Sequence, residues 1–398
     1  MAENKFDFDL VIDRRHTNSL KFDFAEKRGY PADVVPLWVA DMDFPTAPPV
    51  IEALKQASKF GIFGYSDVED SYYDTVIDWF DCRFGWKPSL NWIVKTPGVV
   101  YALAMAVHAF TEPGDGVLIQ TPVYYPFYGV VRDNDRNLVE NPLVYDGEAY
   151  SIDFEDFERK IIDSNVKLFC LCSPHNPVGR VWTKEELSRM GSICEAHDVL
   201  VVSDEIHCDF VWPGSEHHIF CEAVPSMRDR SIICTAPSKS FNLAGLQVSH
   251  IFIANQKLRH RFKEAMKRSG YSQLNTMGLI ASEAAYSKGG PWLDACKEYL
   301  LANLEFVDDY LNEHIPELKL VKPEGTYFAW IDCSGLGLSS KELDDLVIHK
   351  AGLWLDAGHI FGSAADQFQR IVVACPRSML AKALDKLRDA VDSLRSAR

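Results

Sequence analysis

The feature that most constrains this 398-residue chain is a set of short segments that are apolar on both sides, not on alternate residues. They lie at 91–95, 116–120, 167–172, 199–203, 231–235 and 248–254. A strand exposed on one face would alternate apolar with polar; a run without alternation has both faces covered. Between the runs lie stretches of helical period at 98–110, near 125–133, and at 184–197, the last with Thr183 as its N-cap. This alternation predicts an α/β fold: a mostly parallel sheet with helices on both faces. After residue 255 helices dominate, at 256–268, 274–288 and 292–314, followed by a strand at 327–332, a helix at 341–350, a strand at 370–374 and a closing helix at 379–394. The expected organisation is a large α/β domain over 48–290 and a smaller α+β domain built from both chain ends, 1–47 and 291–398, without repeats or long linkers.

Charge and cysteine usage narrow the function. With 41 basic and 57 acidic side chains the net charge is −16. That balance argues against nucleic acid, whose phosphates need clustered Lys and Arg, and against anionic membrane surfaces. The longest apolar window, 99–110, is shorter than a membrane span and is broken by His108. The first residues are polar and carry no signal-peptide core. The ten cysteines include no Cys-x-x-Cys pair, and several sit inside apolar runs, as Cys170 and Cys172 do. They read as buried thiols in a reducing cytoplasm, with no disulfide and no metal site.

In open α/β sheets ligands bind beyond the carboxyl ends of the strands, so the residues that follow each strand are the candidates. The first strand runs into Thr96-Pro-Gly-Val-Val100, where a glycine opens a helix whose free N–H groups suit a phosphate; a plain turn fits as well. The second ends in Thr121-Pro-Val-Tyr-Tyr125, where Tyr124 either stacks on a flat ligand or simply packs. The third leads into Ser173-Pro-His-Asn-Pro-Val-Gly179, a loop stiffened by two prolines around Asn176, which offers both a donor and an acceptor. Asp204 stands at the tip of the fourth, followed by Glu205, Ile206 and His207; a carboxylate there needs a cation or several donors. The fifth leads to Ala236-Pro-Ser-Lys-Ser-Phe-Asn-Leu-Ala-Gly245. Lys239, set among small and apolar residues, would have a lowered pKa and a usable amine if kept from water. Arg377 ends the 370–374 region just before the last helix, where the helix dipole disfavours a cation, so a bidentate hold on a carboxylate explains it better than helix stability. One ligand uses such an ordered set at once: pyridoxal phosphate, with an anionic phosphate, a flat ring, a phenolic oxygen, a ring nitrogen and an aldehyde, carrying an amino-acid substrate.

Across essentially its whole length the chain resembles the fold-type I pyridoxal-phosphate enzymes of the aspartate-aminotransferase superfamily. The resemblance is carried by the Ser-Pro-His-Asn-Pro-Val-Gly, Ser-Asp-Glu-Ile-His and Ser-Lys-Ser-Phe-Asn-Leu-Ala-Gly-Leu segments. It implies that Lys239 forms the Schiff base with the cofactor, Asp204 pairs with the pyridine nitrogen, and Asn176 binds the phenolic oxygen. His207 stands where many relatives carry a Tyr on that same oxygen. Ile206 and Tyr124 would sandwich the ring, with Tyr124 also counted among the catalytic residues. The N–H groups of Val99 and Val100 and the Ser238 hydroxyl would hold the phosphate. Tyr65 would reach the site of a second subunit, so a homodimer with shared active sites is implied, and Arg377 would hold the substrate carboxylate beside Asn176 and Tyr65. Two positions depart from the common aminotransferase pattern: Gln247 replaces a phosphate-binding Arg, and Ala236 a Gly or Ser. Gln247, His207 and the Trp38-Val-Ala-Asp-Met-Asp-Phe44 segment resemble the MalY/PatB-type cystathionine β-lyases and other C–S lyases. The implied reaction is β-elimination from cystathionine or a related S-substituted cysteine, giving pyruvate, ammonia and a thiol. The alternatives are an aminotransferase with the same residues and a regulatory binding protein on the same fold. A dinucleotide dehydrogenase is set aside because no Gly-x-Gly-x-x-Gly follows an early strand.

Overall fold

The computed structural model describes residues 6–398. The start of the polar N-terminal stretch, 1–5, lies outside the described residues. Seven strands form the main sheet: β1 (Ile93–Thr96), β2 (Gly116–Thr121), β3 (Asn137–Pro142), β4 (Val166–Cys172), β5 (Leu200–Asp204), β6 (Ser231–Thr235) and β7 (Ser249–Phe252). Their order is β1-β7-β6-β5-β4-β2-β3. Only β7 runs against its neighbours, pairing antiparallel with both β1 and β6; the other pairings are parallel.

The lack of alternation in these strands has a direct cause. Along β4, Leu168, Cys170 and Cys172 enter one core and Phe169 and Leu171 the other. In β5 and β6, Val202, Ile232 and Cys234 face the first core, Val201 and Ile233 the second. The first core is closed by the apolar helix α1 (Val99–Phe110), which contributes Val99, Ala102, Leu103, Ala106 and Val107. The second joins helices on the opposite face to the rest of the molecule, including α2 (Lys184–Ala196), where Thr183 and Glu186 form a capping box. With apolar groups on both faces, a polar residue survives only at a strand end, where the functional side chains are found.

A second, antiparallel sheet has the order β8 (Lys319–Val321), β9 (Phe328–Asp332), β11 (Phe368–Val372) and β10 (Asp356–Ala357). Between the two sheets runs the strap 35–44. Val35 and Pro36 pair in parallel with Leu353 and Trp354, and the Asp43 N–H donates to the Ala374 carbonyl at 2.9 Å. The Asn242 side chain accepts from the Met42 N–H and donates to the Met42 and Phe44 carbonyls, tying the strap to the loop after β6.

Some elements escape the sequence reading. Strand β3 buries only Val139 and Asn141, lies at the sheet edge and ends in proline, so it carries no apolar run. The helices Pro48–Phe60 and Phe154–Asp163 bury Val50 alone and Phe157 with Ile161, too narrow a stripe to stand out. Strands β8 and β10 are three and two residues long. The helix expected over 341–350 is α-helical only at Ser340–Asp345 and continues as a π-helical turn, Leu346–Lys350. The closing helix is longer than expected, Arg377–Ala397 (α3).

Candidate active site

Because β1, β2, β4, β5 and β6 run the same way, the loops after them emerge along one edge of the sheet. The reversed strand β7 begins at that edge, which brings Gln247 and Val248 to the same place. Here a cavity of about 130 Å³ is lined by residues from every one of these loops and by Ala40 of the strap. Nine residues singled out from the sequence line it: Val99, Val100, Tyr124, Asn176, Asp204, Ile206, His207, Ser238 and Lys239. A larger open groove of about 1020 Å³ between residues 338–350 and α3 contains none of them.

Lys239 sits in the short helical turn Pro237–Ser240, and its Nζ donates to the Ala40 carbonyl at 2.9 Å. Burial lowers its pKa from 10.5 to about 8; the charge of Arg370 acts in the same direction, while Asp41 and Asp204 oppose it. At the end of β5, register pairs Asp204 with Cys172 and Cys234 of the flanking strands, so it is buried on both sides. Burial raises its carboxyl pKa to about 7, against the Ile206 N–H, which donates to Oδ1 at 3.1 Å, and the charge of Lys239. No Lys, Arg or His among the described residues lies within 4 Å of it as an ion-pair partner. The neighbouring Glu205 differs: it accepts from the Ser203 hydroxyl and the Phe220 N–H and contacts His217, a closed structural set. His207 is buried between the Tyr327 and Phe328 rings, which keeps it neutral, and its Nδ1 has no partner among the described residues.

The phosphate end is built from backbone. Gly98 precedes α1 with φ +155°, a conformation side chains rarely adopt, and a Cβ added there would meet no atom within 4 Å. No side chain caps this helix start, so the first N–H groups, those of Val99 and Val100 among them, are free for an anion. Gln247 faces the same cavity from a left-handed backbone position, φ +50°.

These features fit the cofactor that the resemblance implies. A buried carboxylate without a cation matches a protonated ring nitrogen. An unpartnered imidazole nitrogen matches a ring oxygen, an uncapped helix start behind a glycine a phosphate, and an amine of lowered pKa an aldehyde.

The position of Arg377 differs from the one expected of a carboxylate-binding residue. Arg377 does not line the cavity. It is the first residue of α3; its Nε donates to Asn303 Oδ1 at 2.5 Å, its guanidinium covers the Phe306 ring at 4.6 Å, and its N–H donates to the Tyr299 hydroxyl. These contacts explain a cation at a helix start without any ligand. Arg370 in β11, 2 % exposed, does not line the cavity either, but it is bonded to a residue that does, Asn176. It donates from Nη1 to Asn176 Oδ1 at 2.8 Å and from Nη2 to the Trp38 carbonyl at 2.9 Å and to Asp356. Its Nε is buried without a partner among the described residues. The sequence signal was available: a charge inside the apolar run Phe368-Gln-Arg-Ile-Val-Val-Ala374 has to be held by something. The carbonyls of Trp38 and Ala40 had no sequence signal, since backbone acceptors look alike in every residue type. Tyr65 is 97 % exposed in this chain and does not reach its cavity.

A family model of the class I and II aminotransferases matches residues 32–387. The chain is 42 % identical over 384 residues to the cystathionine beta-lyase PatB of Bacillus subtilis (strain 168), covering 96 % of this chain and 99 % of that protein. It is 36 % identical over 392 residues to the protein MalY of Escherichia coli (strain K12), covering 98 % and 100 %. The crystal structure of cystalysin from Treponema denticola, which contains a pyridoxal 5'-phosphate cofactor, is similar with a TM-score of 0.94 at 39 % identity, over 98 % of this chain and 99 % of that one.

Proposed function

The chain belongs to the class I and II aminotransferase family, and on that premise we propose that it is a pyridoxal-phosphate-dependent carbon–sulfur β-lyase that cleaves cystathionine or related S-substituted cysteines. With water, such a substrate yields a thiol, pyruvate and ammonia. The observation that carries the reading is the convergence of Lys239, the uncompensated Asp204 and Asn176 in one cavity, with Arg370 of the second sheet hydrogen-bonded to Asn176.

Bound there, the cofactor supplies an aldehyde for an amine and a ring that draws electrons from the substrate's Cα. The chain's own groups do the rest. Lys239 would tether the cofactor and, as a free amine, would take the Cα proton; with its pKa lowered from 10.5 to about 8, a far larger fraction of it is neutral near pH 8 and can serve as a base. Asp204 keeps a proton on the ring nitrogen. Asn176 Nδ2 and His207 Nδ1 would hold the phenolic oxygen, since Asn176 Oδ1 is taken by Arg370 and His207 Nδ1 has no partner among the described residues. Ile206 and Tyr124, which line the cavity, would hold the ring from its two sides. The Tyr124 hydroxyl, kept protonated by burial, is the donor for the departing thiolate. The Val99 and Val100 N–H groups, Ser238 and Gln247 bind the phosphate, and Arg370 grips the substrate carboxylate.

The exposed Phe60, Ile62, Phe63 and Tyr65 support a homodimer in which Tyr65 completes the partner's site. Among the described residues no helix is long and apolar enough to cross a membrane, and nine of the ten free cysteines are buried, which supports a cytoplasmic enzyme. The test is pyruvate and thiol release from cystathionine without an added keto acid. Many turnovers support the lyase, whereas a single half-reaction would identify a transaminase. Lys239→Ala must abolish turnover.

A further inference from the structure

Arg370 is gripped from three sides, and one of its partners has no other visible task. Asp356, on β10, is the register partner of Arg370 on β11, and its carboxylate meets Nη2. Both side chains are buried, and Arg370 is the only hydrogen-bond or ion-pair partner of the Asp356 carboxylate among the described residues. The guanidinium carbon also lies 4.3 Å from the centre of the Phe328 ring and 4.9 Å from that of Phe361. Asn176 and the Trp38 carbonyl are neutral acceptors, so Asp356 is the one anion holding the fork.

A free arginine side chain gives up rotamer freedom when a ligand immobilises it. An arginine already fixed in plane has met that cost before the ligand arrives. An ion pair kept only to join β10 to β11 would be weak grounds for burying two charges, because a buried pair often does no better than apolar packing. We propose that Asp356 is a positioning residue: it presets the Arg370 fork for the α-carboxylate of the amino-acid substrate. The inference rests on the reading that Arg370 binds that carboxylate, and the test separates the two.

The holoenzyme and its Asp356→Ala and Asp356→Asn variants are assayed for thiol release from S-ethyl-L-cysteine and from its carboxamide, with cofactor absorbance recorded throughout. Wild type should strongly prefer the acid; no preference would overturn the role of Arg370 itself. Asp356→Ala should raise KM for the acid about ten-fold, the loss of one charge-assisted hydrogen bond, with kcat within about two-fold. The amide's kinetics and the absorbance should be unchanged. Asp356→Asn, which keeps an acceptor of the same shape, should restore most of the loss and provides the readout if the alanine variant folds poorly. Equal losses on acid and amide would make Asp356 a structural residue and overturn the proposal. So would an unchanged KM for the acid.

Discussion

Replacing Arg370 by lysine and Arg377 by alanine decides which arginine reads the substrate. Arg370→Lys keeps the positive charge but loses the fork. The native guanidinium donates to Asn176 Oδ1, the Trp38 carbonyl and Asp356, and its Nε remains unpartnered among the described residues. An ammonium group has three donors on one atom and cannot serve these acceptors and both carboxylate oxygens together. At least one charge-assisted hydrogen bond is lost, about 1.5–3 kcal/mol, and a buried acceptor left without its donor adds to it. The expected fall in kcat/KM is therefore on the order of 100-fold. Arg377→Ala loses the bond to Asn303 and the contact over Phe306, while its N–H still donates to Tyr299. It should cost about 1–2 kcal/mol of stability and leave kcat/KM within about three-fold. The assay is thiol release from S-ethyl-L-cysteine at saturating pyridoxal phosphate, with folding followed by circular dichroism. A near-normal Arg370→Lys beside a collapsed Arg377→Ala, both folded, would reverse the assignment.

Other outcomes follow from the same geometry. In protein freed of cofactor, Asp204 has its pKa raised from 3.8 to about 7, so between those values the folded state keeps a proton that the unfolded state has lost. Its contribution therefore lowers stability as pH rises through that window, by up to about 4 kcal/mol; in denaturant melts Asp204→Asn should flatten this slope, and an unchanged slope would contradict the burial argument. Lys239 must be neutral to attack the aldehyde, so stopped-flow uptake of pyridoxal phosphate should accelerate through pH of about 8, not 10.5. Gly98→Val places a branched side chain at φ +155° beside the helix start, so it should cost about 1–3 kcal/mol of stability and, in the folded variant, weaken cofactor affinity at least about ten-fold in a fluorescence titration. Asn242→Ala removes three bonds to the strap and puts alanine at φ +56°, so it should cost about 2–4 kcal/mol in a urea melt.

Much of the main sheet could be read from the chain because its physics is one-dimensional. A strand covered on both faces must be apolar at nearly every position, and the polar residues that follow it mark the sheet edge; Asn176, Asp204 and Lys239 stand at or just beyond such ends. The seventh strand, β3, obeys no such rule, because an edge strand with solvent on one side tolerates the Asn, Glu and Pro of its sequence. Arg370 was missed for the opposite reason to Asp204. Its strand-end neighbour Arg377 looked exceptional by helix electrostatics, and only the fold shows that Asn303 and Phe306, from a distant helix, already account for it. Arg370 sits mid-strand, where the sequence gives no hint that its acceptors come from residues 38, 176 and 356.

Those three acceptors come from three separate stretches of chain, which explains why both ends of the sequence are needed to build one site. The parallel strands can deliver side chains only to their own edge. They provide Lys239, Asp204 and the helix start at Gly98, while Arg370 reaches Asn176 from the second sheet. The strap joins the two halves: one carbonyl, Trp38, holds Arg370, and two residues later another, Ala40, holds Lys239. Arg370 and Lys239 are thus referenced to a single short segment, itself fixed by Asn242 at one side and by Ala374 at the other. A shift of that segment would move both groups together, so their separation is better protected than the position of either. Loosening the strap through Asn242 should then impair binding and turnover in parallel, whereas loosening Arg370 alone should separate KM from kcat.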